Sequence, residues 1–191
     1  VLDNPNAVID SSKVVNLNIP HMLLPQDTTG FKKWNPVLGR WAIDAIIRLE
    51  AGITSGKQAI APPGTKLIKT FTDVKYAANR KDFYLMLLSV DENPGMFVLV
   101  LRGTLTPGEW RENMEFGLSP TPFLGFNGTD FYKDVMIHTG FLQTYNTMRE
   151  AILNEIKKVS GNSPVRLFIT GHSAGAAISA IVAADLEANV S

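Results

Sequence analysis

One pentapeptide constrains this chain more than any other feature: Gly171-His172-Ser173-Ala174-Gly175, set between the apolar run Val165 to Thr170 and the alanine-rich stretch Ala174 to Ala188. An apolar run followed at once by a helix-forming stretch predicts a strand that turns sharply into a helix. Such a turn forces its middle residue into a strained backbone region, and side chains two positions to either side would collide. Glycine at 171 and 175 removes the collision, and the small Ala176, Ala177 and Ala180 let the helix approach the sheet closely. Ser173 is then presented at the start of the helix, where the amide of Ala174 lacks an intrahelical acceptor.

The rest of the chain supplies a sheet for this turn to stand on. Asn35-Pro36 is a cap followed by a first-turn proline, and Leu38, Trp41, Ala42, Ala45, Ile46 and Leu49 recur at helical spacing until Gly52. Lys66 to Phe71 reads as a short strand. Asp82 to Val90 and Met96 to Leu101 are apolar runs joined by Asp91-Glu92-Asn93-Pro94-Gly95, which predicts a hairpin. The second run does not alternate, as expected of a strand covered on both faces. Gly117 to Phe131 shows no period and is expected to be a long surface loop. Phe141, Tyr145, Met148, Ile152, Ile156 and Val159, behind Thr139, mark a helix that Gly161-Asn162-Ser163-Pro164 ends. Strand, helix, strand, helix in that order predicts an α/β domain with a mainly parallel sheet flanked by helices.

At 191 residues, 45% hydrophobic and 19% charged, the chain holds enough apolar material for one domain spanning 1–191, with 1–65 a helical N-terminal extension within it. Basic and acidic residues balance at 18 each, so no net field draws nucleic acid or an anionic membrane surface. Without cysteine, disulfides and thiolate chemistry are excluded. The richest apolar stretch, Met96 to Leu101, falls far short of the ~20 residues of a membrane span. The chain opens Val1-Leu2-Asp3, so an export signal is expected to have been removed or never present. Asn127-Gly128-Thr129 and Asn189-Val190-Ser191 fit the glycosylation acceptor pattern, although such triplets are common by chance.

Gly171 to Gly175 matches the nucleophile-elbow pattern, in which a serine hydroxyl is exposed at the top of a sheet. His172 is expected to point away from the serine and to serve packing. Leu101-Arg102-Gly103-Thr104 closes the other buried strand, and Thr104 there offers an amide and a hydroxyl to a developing oxyanion. Thr106-Pro107-Gly108-Glu109 reads as a capping box, with Leu105 and Trp110 placed as its hydrophobic staple, so a short helix is expected at the rim of the site. No metal or organic cofactor is expected, because acyl transfer through a serine needs neither.

In order and spacing, Val98-Leu99-Val100-Leu101-Arg102-Gly103-Thr104, then Trp110, then His138-Thr139-Gly140-Phe141 with Tyr145, then Thr170 to Gly175 resemble the lipase class 3 family, typified by the fungal triacylglycerol lipases. The resemblance implies an α/β-hydrolase fold, here its N-terminal portion up to and including the elbow. It implies Ser173 as nucleophile, the Thr104 and Ala174 amides as oxyanion hole, a lid that includes Leu105 and Trp110, and a structural part for His138. It also implies an enzyme acting on acylglycerol or phospholipid esters, often at an oil–water interface; secretion is the expected localisation. Members usually carry Leu-Gly-Gly after the serine, where this chain has Ala174-Gly175-Ala176; the chemistry is unaltered, since the backbone amide does the work.

A serine becomes a good nucleophile when a histidine, oriented by a carboxylate, takes its proton. In this fold the order is Ser, Asp, His. No histidine follows Ser173, and Asp185 lies about 18 Å farther along the helix. His21 and His138 precede the serine and follow no signature of a base. A buried-type strand at 165–170 would also be an open apolar edge if the sheet ended there. The expectation is an incomplete sheet whose C-terminal strands, Asp and His lie outside this chain, either on a second polypeptide of a cleaved enzyme or on sequence lost by truncation near a loop. Two other classes keep the elbow: a lipid-binding or interaction module without activity, and an amidase or peptidase.

Overall fold

The structure, a computed structural model, describes residues 36–55, 57–72, 83–105, 116–121, 123, 135–161 and 163–189. Its elements are α1 (Pro36–Thr54), β1 (Thr65–Thr72), β2 (Phe83–Val90), β3 (Met96–Leu101), β4 (Leu118–Pro120), β5 (Met136–His138), α2 (Thr139–Ser160), β6 (Arg166–Gly171) and α3 (Ala174–Asn189). Four strands form a sheet in the order β1-β2-β3-β6. The sheet is mixed: β1 and β2 pair antiparallel, as do β2 and β3, and β6 lies parallel to β3. The expected parallel character is thus confined to β3–β6. The physical reason is connection length, since the Asp91–Gly95 turn can join only antiparallel strands, whereas α2 provides the long crossover that a parallel pair requires.

Alternation along β2 and β3 divides the core. Leu85, Leu87, Phe97, Leu99 and Leu101 face α2 and α3, while Met86, Leu88, Val90, Met96, Val98 and Val100 face α1. All six residues of β3 are buried, as its unbroken apolar run predicts. Burying each large apolar side chain contributes roughly 1.5–3 kcal/mol, so this central strand anchors both layers. On α1, Trp41, Ala45, Ile46 and Leu49 form the buried stripe. At Gly52 the chain doubles back so closely that a β-carbon would meet the Ala59 Cα at 2.8 Å.

Two local expectations are corrected. Leu118–Pro120, inside the stretch read as loop, pairs antiparallel with Met136–His138. A three-residue strand containing proline is too short to show a period and lacks one ladder donor, so its partner strand Met136–His138 determines it. Thr139, read as preceding α2, is its first helical residue, and His138 stands at the N-cap without a side-chain capping bond. The Thr139 hydroxyl instead meets Ser119 Oγ at 2.8 Å, and its amide donates to the Gly117 carbonyl at 2.7 Å, tying the ribbon to the helix.

Among the described residues β6 pairs on one side only. Its side chains are exposed or half-buried, in contrast to those of β3.

Candidate active site

The register of β3 on β6 sets Leu101 opposite Gly171, so the two chains leave the sheet side by side. One continues as Arg102-Gly103-Thr104 and the other as His172-Ser173-Ala174. The His172 amide donates to the Leu101 carbonyl at 3.3 Å, linking the two chains as they leave the sheet.

Ser173 has φ 53°, the one positive value at a non-glycine residue among the described residues. That conformation costs roughly 1–2 kcal/mol for an L-residue and persists only where its surroundings impose it. They do so here. The Gly175 amide donates to the His172 carbonyl at 2.8 Å, and the Ala176 and Ala177 amides donate to the Ser173 carbonyl at 3.0 and 3.3 Å, so α3 begins at once. A β-carbon on Gly171 would collide with the Gly175 backbone and lie 2.6 Å from Ser179 Oγ. One on Gly175 would collide with the Arg102 carbonyl and lie 2.8 Å from that of Leu101.

The result leaves Ser173 exposed above a buried Ala174. Gly103 sits directly against it, for a β-carbon there would come within 3.4 Å of Ser173 Cβ. The structure therefore brings Ser173, Ala174, Gly171, Gly175 and the Gly103–Thr104 turn together. Thr104 itself is half-buried and Leu105 is exposed at the rim. Trp110 and the Thr106–Glu109 capping box lie outside the described residues, as do His21 and Asn127.

His172, expected to pack, is exposed, and its contact is with Gly103, where a β-carbon would fall 2.9 Å from Nδ1. It also ends a groove of about 560 Å³ that runs between α1 and β6 past Leu38, Ile43 and Phe168. His138 is half-buried at the end of β5, stacked on Phe141 at 4.4 Å between centroids and edge-on to Phe116 at 6.0 Å. Among the described residues no group of three or more histidine, cysteine or acidic side chains is placed to hold a metal ion.

Asp185 is fully buried. It accepts from Arg149 Nε at 2.6 Å and Nη2 at 2.9 Å, and from the Tyr145 hydroxyl at 2.5 Å. Burial, reinforced by the Asp185 hydrogen bond and charge, pushes the Tyr145 phenol far above its usual range. The Asn189 amide, which fits the glycosylation acceptor pattern, donates to Asp185 Oδ1 at 2.6 Å and to the carbonyls of Asp185 and Phe123, each at 3.1 Å.

Two residues that sequence reasoning did not assign touch the same turn. The Gly103 amide donates to Glu50 Oε1 of α1 at 3.4 Å, and the fully buried Arg102 donates from Nη1 to the Gly103 carbonyl at 2.6 Å. An arginine directly after an apolar run was the available signal for Arg102. Glu50, one of several charges on an amphipathic helix, gave none.

Comparisons with known proteins bear on the family and the fold. Residues 98–191 match the family described as lipase (class 3). Phospholipase A(1) DAD1, chloroplastic, of Arabidopsis thaliana is 34% identical over 99 residues, covering 47% of this chain and 22% of the relative. Phospholipase A1-II 1 of Oryza sativa subsp. indica is 25% identical over 149 residues, covering 68% and 37%. Among solved structures, a fungal lipase–inhibitor complex superposes with a TM-score of 0.56 at 21% identity, covering 79% of this chain and 54% of that one. A triacylglycerol lipase whose catalytic centre is a serine-protease triad gives 0.55 at 21%, covering 82% and 56%. The chain spans less than half the length of these curated relatives and about half that of the solved chains. In each, the matched region is part of one longer chain, which gives no support to the expected second polypeptide. The fold is that of the α/β-hydrolase lipases.

Proposed function

Since residues 98–191 belong to the lipase (class 3) family, we propose that this chain bears the nucleophile of a serine hydrolase acting on the acyl esters of lipids. The observation that carries the proposal is the positive φ of Ser173 between two glycines that admit no β-carbon. A backbone strained at a single serine, exposed at the mouth of the sheet, is the arrangement that nucleophilic acyl transfer uses.

In the proposed reaction Ser173 Oγ attacks the ester carbonyl carbon while a base takes its proton. The carbonyl oxygen gains the negative charge, and the amides of Ala174 and Thr104 stabilise it. Collapse of the intermediate expels the alcohol and leaves an acyl-serine, which water then hydrolyses to the free acid. The base and its orienting carboxylate are not assigned among the described residues. Phospholipid esters are the favoured substrate, because the curated relatives are named as phospholipases A1, whereas the likeness to triacylglycerol lipases is one of fold.

The test is an intact mass spectrum before and after a fluorophosphonate probe, with peptide mapping of the adduct and hydrolysis of a phospholipid measured in parallel. One adduct, on Ser173, together with hydrolysis that Ser173→Ala abolishes, is expected. A chain that takes no probe is a scaffold without this chemistry. Labelling with hydrolysis of amides but not of lipid esters would move the reading to an amidase or peptidase.

A further inference from the structure

We infer that Glu50 and Arg102 are positioning residues of this site, holding the two peptide units that flank Gly103 so that the Thr104 amide stays turned toward the serine. The inference rests on the ester-hydrolase reading, since it concerns how the oxyanion donor is aimed.

A peptide unit is planar and trans, so its carbonyl and its N–H point in opposite directions, and fixing either one fixes both. The unit joining Arg102 to Gly103 has its carbonyl against Gly175, in the place a β-carbon would take. Its N–H therefore leaves on the other side, and there it meets Glu50 Oε1. The next unit joins Gly103 to Thr104, and its carbonyl accepts from Arg102 Nη1 at 2.6 Å. With that carbonyl turned to the guanidinium, the Thr104 N–H is directed to the opposite side.

The clamp matters because the residue between the two units is glycine, which loses the most conformational freedom on ordering. A side chain cannot do the stiffening, because a β-carbon at Gly103 would meet His172 Nδ1 at 2.9 Å and Ser173 Cβ at 3.4 Å. Left to itself, the Gly103–Thr104 unit can rotate and present its carbonyl, an acceptor, where a donor is needed. Two polar side chains supply the stiffness instead, Glu50 of α1 and the buried guanidinium of Arg102. Asp44 and Arg48, on the same helix, form their own pair at 2.7 Å, whereas the Glu50 carboxylate joins no ion pair among the described residues.

The carboxylate works against its own charge. A negative group near the turn disfavours a second negative charge on the substrate oxygen, so its value lies in orientation. An amide at position 50 keeps the acceptor and drops the charge. Glu50→Gln should therefore preserve the site, while Glu50→Ala and Glu50→Asp, which remove or withdraw the acceptor, should impair it.

The experiment uses the full chain: steady-state hydrolysis of a short-chain p-nitrophenyl ester and the rate of fluorophosphonate labelling for wild type, Glu50→Ala, Glu50→Asp and Glu50→Gln, with thermal unfolding of each. Losing an oxyanion donor outright costs about 10²–10³ in kcat. Loosening one should lower kcat about tenfold in Glu50→Ala and Glu50→Asp, leave KM unchanged, and leave Glu50→Gln near wild type. If Glu50→Ala does not fold, Glu50→Asp against Glu50→Gln carries the comparison. Equal kcat across the series overturns the inference, as does a rise in KM alone or an equal loss in Glu50→Gln. A wild-type chain that takes no probe at Ser173 sinks the ester-hydrolase reading and this inference with it.

Discussion

The carbonyl oxygen of Arg102 stands where a β-carbon on Gly175 would have to go. Both partners are backbone, one leaving the central strand of the sheet and the other opening α3, so no side chain can swing aside. Overpacking of a well-filled site costs typically about 1–3 kcal/mol, and a rigid obstacle puts Gly175→Ala at or above the top of that range. Denaturant unfolding measures it. A midpoint close to that of wild type would mean that α3 shifts freely and that the close approach is not needed to place Ser173.

The strain at Ser173 can be separated from its chemistry. Ser173→Ala and Ser173→Gly both lack the hydroxyl and should both be inactive, yet only glycine adopts φ 53° without steric cost. Ser173→Gly should therefore be the more stable by about 1 kcal/mol in urea unfolding, the relief outweighing the glycine's added freedom in the unfolded chain. Equal stability would show that the elbow relaxes once the serine is gone.

What the sequence disclosed follows from how local each constraint is. The elbow was legible because two glycines, a serine, a strand and a helix within one short stretch state a backbone geometry directly, and Ser173 adopts it. β3 was legible because its unbroken apolar run demands cover on both faces, which α1 and the α2–α3 layer provide. The β4–β5 ribbon was not, because three residues carry no period and its stability comes from Ser119, Thr121 and Thr139 reaching between segments. Nor was Glu50 legible as a partner of Gly103, a contact 53 residues apart that exists only once α1 lies across the sheet.

The helices α2 and α3 are joined at depth by Arg149 and Asp185, a two-pronged pair whose carboxylate is fully buried. Removing one partner of a buried pair leaves an uncompensated charge and costs about 3–5 kcal/mol. Arg149→Met should fall in that range by denaturant unfolding, and adding Asp185→Asn should recover part of the loss, since the amide carries no charge that needs a partner and keeps an acceptor for the Tyr145 hydroxyl. Losses that simply add would mean that the two side chains are not coupled.

Glu155 makes stability depend on pH in a stated direction. Its carboxylate, 7% exposed, accepts from Lys69 at 2.8 Å and from Lys158 at 3.0 Å. The Lys69 hydrogen bond, then that of Lys158, hold it below the ordinary value of 4.5 despite burial. A group whose folded value is depressed binds fewer protons folded than unfolded, so its contribution is complete above the ordinary carboxylate range and is lost as pH falls through the lower folded value. Unfolding free energies of wild type and Glu155→Gln, measured from neutral to acid pH, should differ by a constant amount near neutrality. That difference should shrink once pH drops below about 4.5. Because Lys158 is largely exposed and Lys69 partly so, added salt should narrow it as well. A difference that persists unchanged into acid would show that the two lysines do not hold the carboxylate ionised, and that Glu155 contributes through packing alone.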